Sequence, residues 1–139
     1  MTKIEKVSRE EIERLISSGE WGTLDDTQRA RLASSLSATT KFWVGLVNND
    51  LICAFGIATP TLISNRAYFW VWTTEKLKDH LFIFTRRSQI VVKTLLEEVD
   101  ALYGYCDTSI PGSQRWLKWL GAEFEEPEGE MIPFEIRRA

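Results

Sequence analysis

The sequence predicts an α/β (α+β) fold built on a mixed, mostly antiparallel central sheet of about six to seven strands with helices on both faces. The expected order is β-α-α-β-β-β-α-β-α-β-β. Three observations lead there. Two capped, helix-period segments precede a run of β-branched and aromatic residues broken by Asn48-Asn49-Asp50, the chemistry of a tight hairpin. The stretch "RAYFWVWTT" is apolar on both faces, as a central strand covered on both sides must be. After it, helix-like and strand-like segments alternate to the C-terminus.

Taken in order, "IEKV" is short, alternating and strand-like. In "SREEIERLISSG" Ser8 is the N-cap and Glu11 completes a capping box. Ile12, Leu15 and Ile16 share one face of that helix, and Gly19 suits its left-handed C-cap. A second helix starts at Asp25 or Asp26, with Leu32, Ala33 and Leu36 marking its buried side. "TKFWVGLV" and "LICAFGIA" form the hairpin, followed by a strand with Tyr68, Trp70 and Trp72 on one face and Phe69 and Val71 on the other. From about His80 to Leu102 the apolar period is helical, carried by Leu81, Phe84, Val92, Leu95, Val99 and Leu102. "LYGYCD" is a short strand. A short helix follows, with Pro111 in its first turn and Gly121 at its end. Its Trp116, Leu117 and Leu120 face the core, and Trp119 stands off that stripe. "AEFEE" and "MIPFEIRR" close the chain as a hairpin about Pro127-Glu128-Gly129.

Bulk properties bound the function. A chain of 139 residues, 44% apolar and 27% charged, suits one domain spanning 1–139. Its apolar stretches are far short of the ~20 residues of a membrane span, and the first residues lack a secretory signal's apolar core. A cytoplasmic protein is expected. A net charge of −3 without a basic stripe argues against nucleic-acid binding. Cys53 and Cys106 sit in apolar strand-like runs and read as small buried hydrophobes. His80 is the sole histidine, so no metal site is expected.

The element order, together with "NNDLICAFGIA" leading into its Gly56 and "SQRWLKWLGAEF", resembles the GCN5-related N-acetyltransferase (GNAT) family. The pieces "WVWTT", "HLFIFTRRSQ", "YGYCD" and "RWLKWLG" are most similar to small GNAT-like proteins encoded by bacteriophages. The resemblance covers most of residues 40 to 137. It implies an acetyl-CoA-dependent transfer of an acetyl group to an amine on a protein or small molecule, acting on host components. The chain departs from the family at three places. No glycine occurs between Thr73 and Val91, where the phosphate-cradling loop usually lies. Leu117 stands where many members carry a tyrosine, and Ile110 where related phage proteins tend to carry asparagine.

Such chemistry needs a pyrophosphate site, a place for the thioester and a route for the amine's proton. The helix after "WVWTT" offers N–H donors and a positive dipole end. With it come Trp72, Thr73, Thr74, Arg86, Arg87 and Ser88 as candidate cofactor residues, the arginines able to pair bidentately with phosphate. The alternative for Arg86 and Arg87 is a solvated helix face. The resemblance places the acyl arm along the strands "YFWVWTT" and "YGYCD". Tyr105 is a candidate donor to the leaving thiolate, and Glu75 and Asp107 are candidate carboxylates for the proton route. His80 is a residue type suited to a general base, yet a single histidine at a helix start is more often a cap or surface residue, and a water-relayed path needs no side chain. The competing function is a GNAT-fold binding module: a host-protein inhibitor or a virion component. Acceptor and oligomeric state stay open.

Overall fold

The structure, a computed structural model, describes residues 2–17, 25–58, 65–108, 110 and 112–138. Gly19, the expected cap of the first helix, and Pro111, expected in the first turn of the last, lie outside them. Two compact units organise the chain: Met1–Thr59 with Trp70–Phe84, and Pro60–Phe69 with Thr85–Ala139. Among the described residues the elements are β1 (Thr2–Val7), α1 (Arg9–Ser17), α2 (Asp26–Ala38), β2 (Lys41–Val47), β3 (Asp50–Ala58) and β4 (Arg66–Thr73). A 3-10 turn (Glu75–Asp79), α3 (Leu81–Leu95), β5 (Ala101–Asp107), α4 (Ser113–Trp119), β6 (Glu123–Phe124) and β7 (Met131–Arg137) follow. The seven strands hydrogen-bond in the order β1-β2-β3-β4-β5-β7-β6. The predicted order of elements holds, with the 3-10 turn added.

In the first unit β1, β2 and β3 pair antiparallel. Asn48 and Asn49, at φ 52 and 71, make the tight turn between β2 and β3. Ser8 Oγ accepts from Glu11 N to start α1, and Asp25 shares a full capping box with Gln28 to start α2. The last carbonyls of α2 are satisfied from far away in sequence. The Arg9 guanidinium donates to Leu36 O at 2.7 Å and Thr39 O at 2.8 Å, and it stacks over the Phe42 ring. The buried side of α2 is Leu32 with Ser35, while Ala33 is exposed and Leu36 half-buried. The covered side shifts because the main-chain carbonyl of Ser35, whatever the side chain, accepts from the buried Thr39 hydroxyl, which in turn accepts from Trp70 Nε1 and draws that side of the helix inward.

Cys53 lies in the core of this unit, 6% exposed, as expected of a small hydrophobe. Burial pushes its thiol up to about 12. A raised thiol pKa means the unfolded chain ionises first. This contribution to stability is therefore whole below about pH 9 and lost as pH rises from there toward 12. Chemical denaturation at pH 10 should give a midpoint corresponding to about 1 kcal/mol less stability than at pH 8, a difference that vanishes in Cys53→Ala.

In the second unit β5 pairs antiparallel with β7, and β7 with β6. The parallel ladder of β4 and β5 runs over three pairs, Arg66 to Tyr68 against Ala101 to Tyr103. Helix α3 ends at Leu95, seven residues before the helical apolar period does. Leu102, fully buried, belongs to β5. The physical reason is tertiary. Arg138 hydrogen-bonds the carbonyls of Leu96, Glu97 and Val99, and Asp100 N donates to Asn65 O. These bonds hold the chain in turns that lead straight into the strand.

Helix α4 packs on β5. It begins after Gly112 at φ 81 and closes in a Schellman motif at Gly121, φ 102. Gly121 N donates to Lys118 O and Ala122 N to Leu117 O, both at 3.0 Å. Leu117 and Ala122 are buried, Trp116 and Leu120 half-buried, and Trp119 is 50% exposed, as the sequence predicts.

Candidate functional site

The candidate residues of the first unit lie where β4 hands over to α3. Trp72 and Thr73 end β4, half-buried. Thr74 is 4% exposed and fully engaged. Its N–H donates to Ile52 O at 2.8 Å, its hydroxyl donates to Leu51 O at 2.6 Å, and the same hydroxyl accepts from Lys76 N. Because Thr74 caps the 3-10 turn, the strand stops at Thr73 and Glu75 projects from the turn, exposed. Glu75, a candidate carboxylate for the proton route, is thus a turn residue facing solvent. His80 closes the turn, its N–H donating to Leu77 O and its carbonyl accepting the first hydrogen bond of α3, from Phe84 N. Its Nε2 stands 3.7 Å from Asp50 Oδ2, while Lys76 Nζ reaches Asp50 Oδ1 at 2.9 Å. The Lys76 hydrogen bond, with a smaller contribution from His80, holds the Asp50 carboxyl below its ordinary range. Asn49, Asp50, Leu51 and Lys76 line a shallow depression beside this cluster.

The second unit holds the others. Tyr103, Tyr105 and Asp107 alternate along β5 and share one face, onto which Tyr68 of β4 also projects. All three tyrosines of the chain therefore lie on one sheet face. Tyr68 and Tyr103 tilt together at 5.7 Å, and the Arg66 guanidinium covers Tyr103 at 4.8 Å while bonding Glu135 at 3.0 Å. Tyr105 is 51% exposed and Asp107 half-buried. The opposite face carries Leu102, Gly104 and Cys106, all buried. Cys106 Sγ is 3.4 Å from Ser113 Oγ at the start of α4.

On α3, Arg86 and Arg87 are exposed. Ser88 is half-buried, its hydroxyl donating to Thr85 O at 2.8 Å and accepting from Trp116 Nε1 at 3.0 Å. The Trp116 indole thereby ties α4 to α3.

The structure thus brings Tyr105 and Asp107 together on one strand face, and Trp72, Thr73, Thr74 and Glu75 together at one strand end. Sequence reasoning missed Asp50, Lys76, Arg66 and Glu135. Arg66 and Glu135 are 69 residues apart, so no local spacing marks the pair. Asp50 registered only as a turn residue.

No family model matches the chain, and no curated protein does. Solved structures do. The IAA acetyltransferase of Bacillus cereus is similar at a TM-score of 0.70 and 13% identity, over 99% of this chain and 100% of that one. A spermidine N-acetyltransferase SpeG chimera from Vibrio cholerae and hSSAT is similar at 0.69 and 10%, over 98% and 95%. The N-acetyltransferase PseH of Campylobacter jejuni, in complex with acetyl coenzyme A, is similar at 0.61 and 12%, over the full length of both. These likenesses establish the fold, the mixed α/β fold of the GCN5-related N-acetyltransferases that the sequence resemblance implies. Among the described residues no helix is long and apolar enough to cross a membrane, and no group of three or more His, Cys, Asp and Glu is placed to hold a metal.

Proposed function

We propose that this protein is an acetyl-CoA-dependent N-acyltransferase that moves an acetyl group to an amine on a protein or a small molecule, acting as a single domain. The observation that carries the reading is a fold shared end to end with several acetyltransferases, one of them solved with acetyl coenzyme A. The residues at hand fit the cofactor. For the pyrophosphate we assign the start of α3 in the first unit, with its helix-dipole charge, and the exposed residues Arg86 and Arg87 in the second, whose guanidinium groups would pair with phosphate. They stand in for the glycine loop the chain lacks. Bound acetyl-CoA supplies an acetyl thioester for attack by the amine. Trp72 and Thr73 would flank the cofactor. Tyr105, whose side chain is exposed, would donate to the departing sulfur, and Asp107 or Glu75 would receive the amine's proton. Ser88 acts here by seating Trp116.

The test is thermal unfolding with acetyl-CoA, CoA and ATP. Acetyl-CoA at a hundred times its Kd should stabilise the fold by about 2.7 kcal/mol, raising Tm on the order of 10 °C. ATP should do nothing comparable. Arg86→Ala with Arg87→Ala should weaken acetyl-CoA at least about tenfold, since each loses charge-assisted hydrogen bonds. An unchanged affinity would remove both arginines from the site.

A second reading is a binding module on the same fold. Leu117, at the position where the family often has its tyrosine, is buried in the core, and Phe82 is 73% exposed at the start of α3. No thermal shift with acetyl-CoA or CoA would favour it. The phage-encoded, host-directed role rests on the similarity of "WVWTT" and "RWLKWLG". Under it, the acceptor or the bound partner is a cytoplasmic host protein, to be sought by pull-down from a host lysate.

A further inference from the structure

We propose that Thr74 and Asp50 latch the 3-10 turn onto β3 and thereby position the first turn of α3. The functional half of this inference rests on the acyltransferase reading, which gives that turn to the cofactor's pyrophosphate.

The geometry is a chain of short bonds within one compact unit. Thr74 was expected among the cofactor residues, yet its main-chain N–H and its hydroxyl proton are both spent on β3, at Ile52 O and Leu51 O. A hydroxyl has one proton, so the remaining role of Thr74 Oγ1 is to accept, and it accepts from Lys76 N. This fixes the entry of the turn. Two residues on, the Lys76 ammonium is held by Asp50 at the first position of β3. At the exit stands His80, whose Nε2 lies 3.7 Å from the other oxygen of the same carboxylate and whose carbonyl receives the first hydrogen bond of α3. Between Thr74 and His80, the longest stretch without a hydrogen bond or ion pair to β3 is thus the three residues Leu77 to Asp79. A loop so held can stay in one conformation without glycines, and the chain has none between Thr73 and Val91. The two anchors differ in weight. Asp50 and Lys76 are 40% and 59% exposed at the side chain, so their pair contributes little by itself. Thr74 is buried and carries the larger share.

Amide hydrogen exchange and calorimetric titration with acetyl-CoA on the full chain test the proposal. In Thr74→Val, which keeps the shape and loses the hydroxyl, exchange at Phe84, whose N–H donates to His80 O, should rise about fivefold, while Val92 to Leu95 at the far end of α3 stays unchanged. Affinity for acetyl-CoA should fall by a similar factor of about five. Thr74→Ser should restore both, and Asp50→Asn should give a smaller effect of about twofold in each. The latch is overturned if Thr74→Val leaves the Phe84 amide or the affinity at the wild-type value, if exchange rises equally along all of α3, or if serine fails to rescue. Should wild-type protein not bind acetyl-CoA, the acyltransferase reading fails. Exchange then judges the latch alone: a local rise at Phe84 supports it, and the absence of a rise overturns it.

Discussion

Replacing Trp70 with alanine is expected to cost about 3–5 kcal/mol in stability, a large part of the roughly 5–15 kcal/mol that holds a domain folded. The ring is 5% exposed and meets Phe42 edge-on, with 6.5 Å between ring centroids. It also lies so close to Gly56 that a Cβ there would stand 2.9 Å from Trp70 Cζ2. Its Nε1–H donates to Thr39 Oγ1 at 2.6 Å, and Thr39 passes its own proton to Ser35 O. Removing the indole empties a site built around it and strips the Thr39 hydroxyl of a donor. Removing the other end is milder. Thr39→Val leaves a buried N–H unpaired and should cost about 1–3 kcal/mol. Urea unfolding of both single variants and the double variant would show a combined loss smaller than the sum, because the two residues share one hydrogen bond. Strict additivity would mean the bond contributes nothing.

Gly104→Ala is the second large effect, about 3 kcal/mol, although it adds a single methyl group. A Cβ at this position would stand 2.4 Å from Phe69 O and 3.1 Å from two atoms of the Phe134 ring. A ring can turn away; a main-chain oxygen in β4 cannot move without the strand. The companion change Phe134→Leu should therefore fail to rescue Gly104→Ala, since the carbonyl clash remains. Full rescue would place the clash on the ring instead. Gly104 directly precedes Tyr105, so the shift that relieves the clash also displaces the residue proposed to meet the leaving sulfur. Binding of acetyl-CoA measured well below the lowered Tm should weaken along with stability.

Much of the fold is legible in the residues because its signals are local. Ser8, Asp25, the two asparagines at Asn48 and Asn49, and Gly121 each act within about four residues of themselves, through a cap or a positive φ. The spacing of Trp116, Leu117 and Leu120 likewise sets which side of α4 is covered, and Trp119 is exposed for the same reason. The errors have a common form. Leu102 falls on the helical period of α3 but is a strand residue, because Arg138 takes the carbonyls that would have continued the turns. Ala33 is exposed and Ser35 buried because the Thr39 hydroxyl, itself bonded by Trp70, reaches the main-chain carbonyl of Ser35 and draws that side of α2 inward.

The candidate site divides along the same line. That Tyr105 and Asp107 share a face follows from the two-residue period of a strand, and that Arg86 and Arg87 stand off the apolar stripe of α3 follows from its helical period. By itself, then, the sequence determined the order of elements, most of their ends and the pairing of residues along a single strand or helix. Only the tertiary structure decided that Thr74 spends its hydroxyl on Leu51, that Glu75 leaves the strand, and that Asp50 gathers Lys76 and His80. It alone also decided that Arg66 lies between Tyr103 and Glu135. The reason is physical: a hydrogen bond or ion pair between residues 22 to 69 positions apart leaves no periodic trace in either segment, since each donor and acceptor is locally indistinguishable from one facing water.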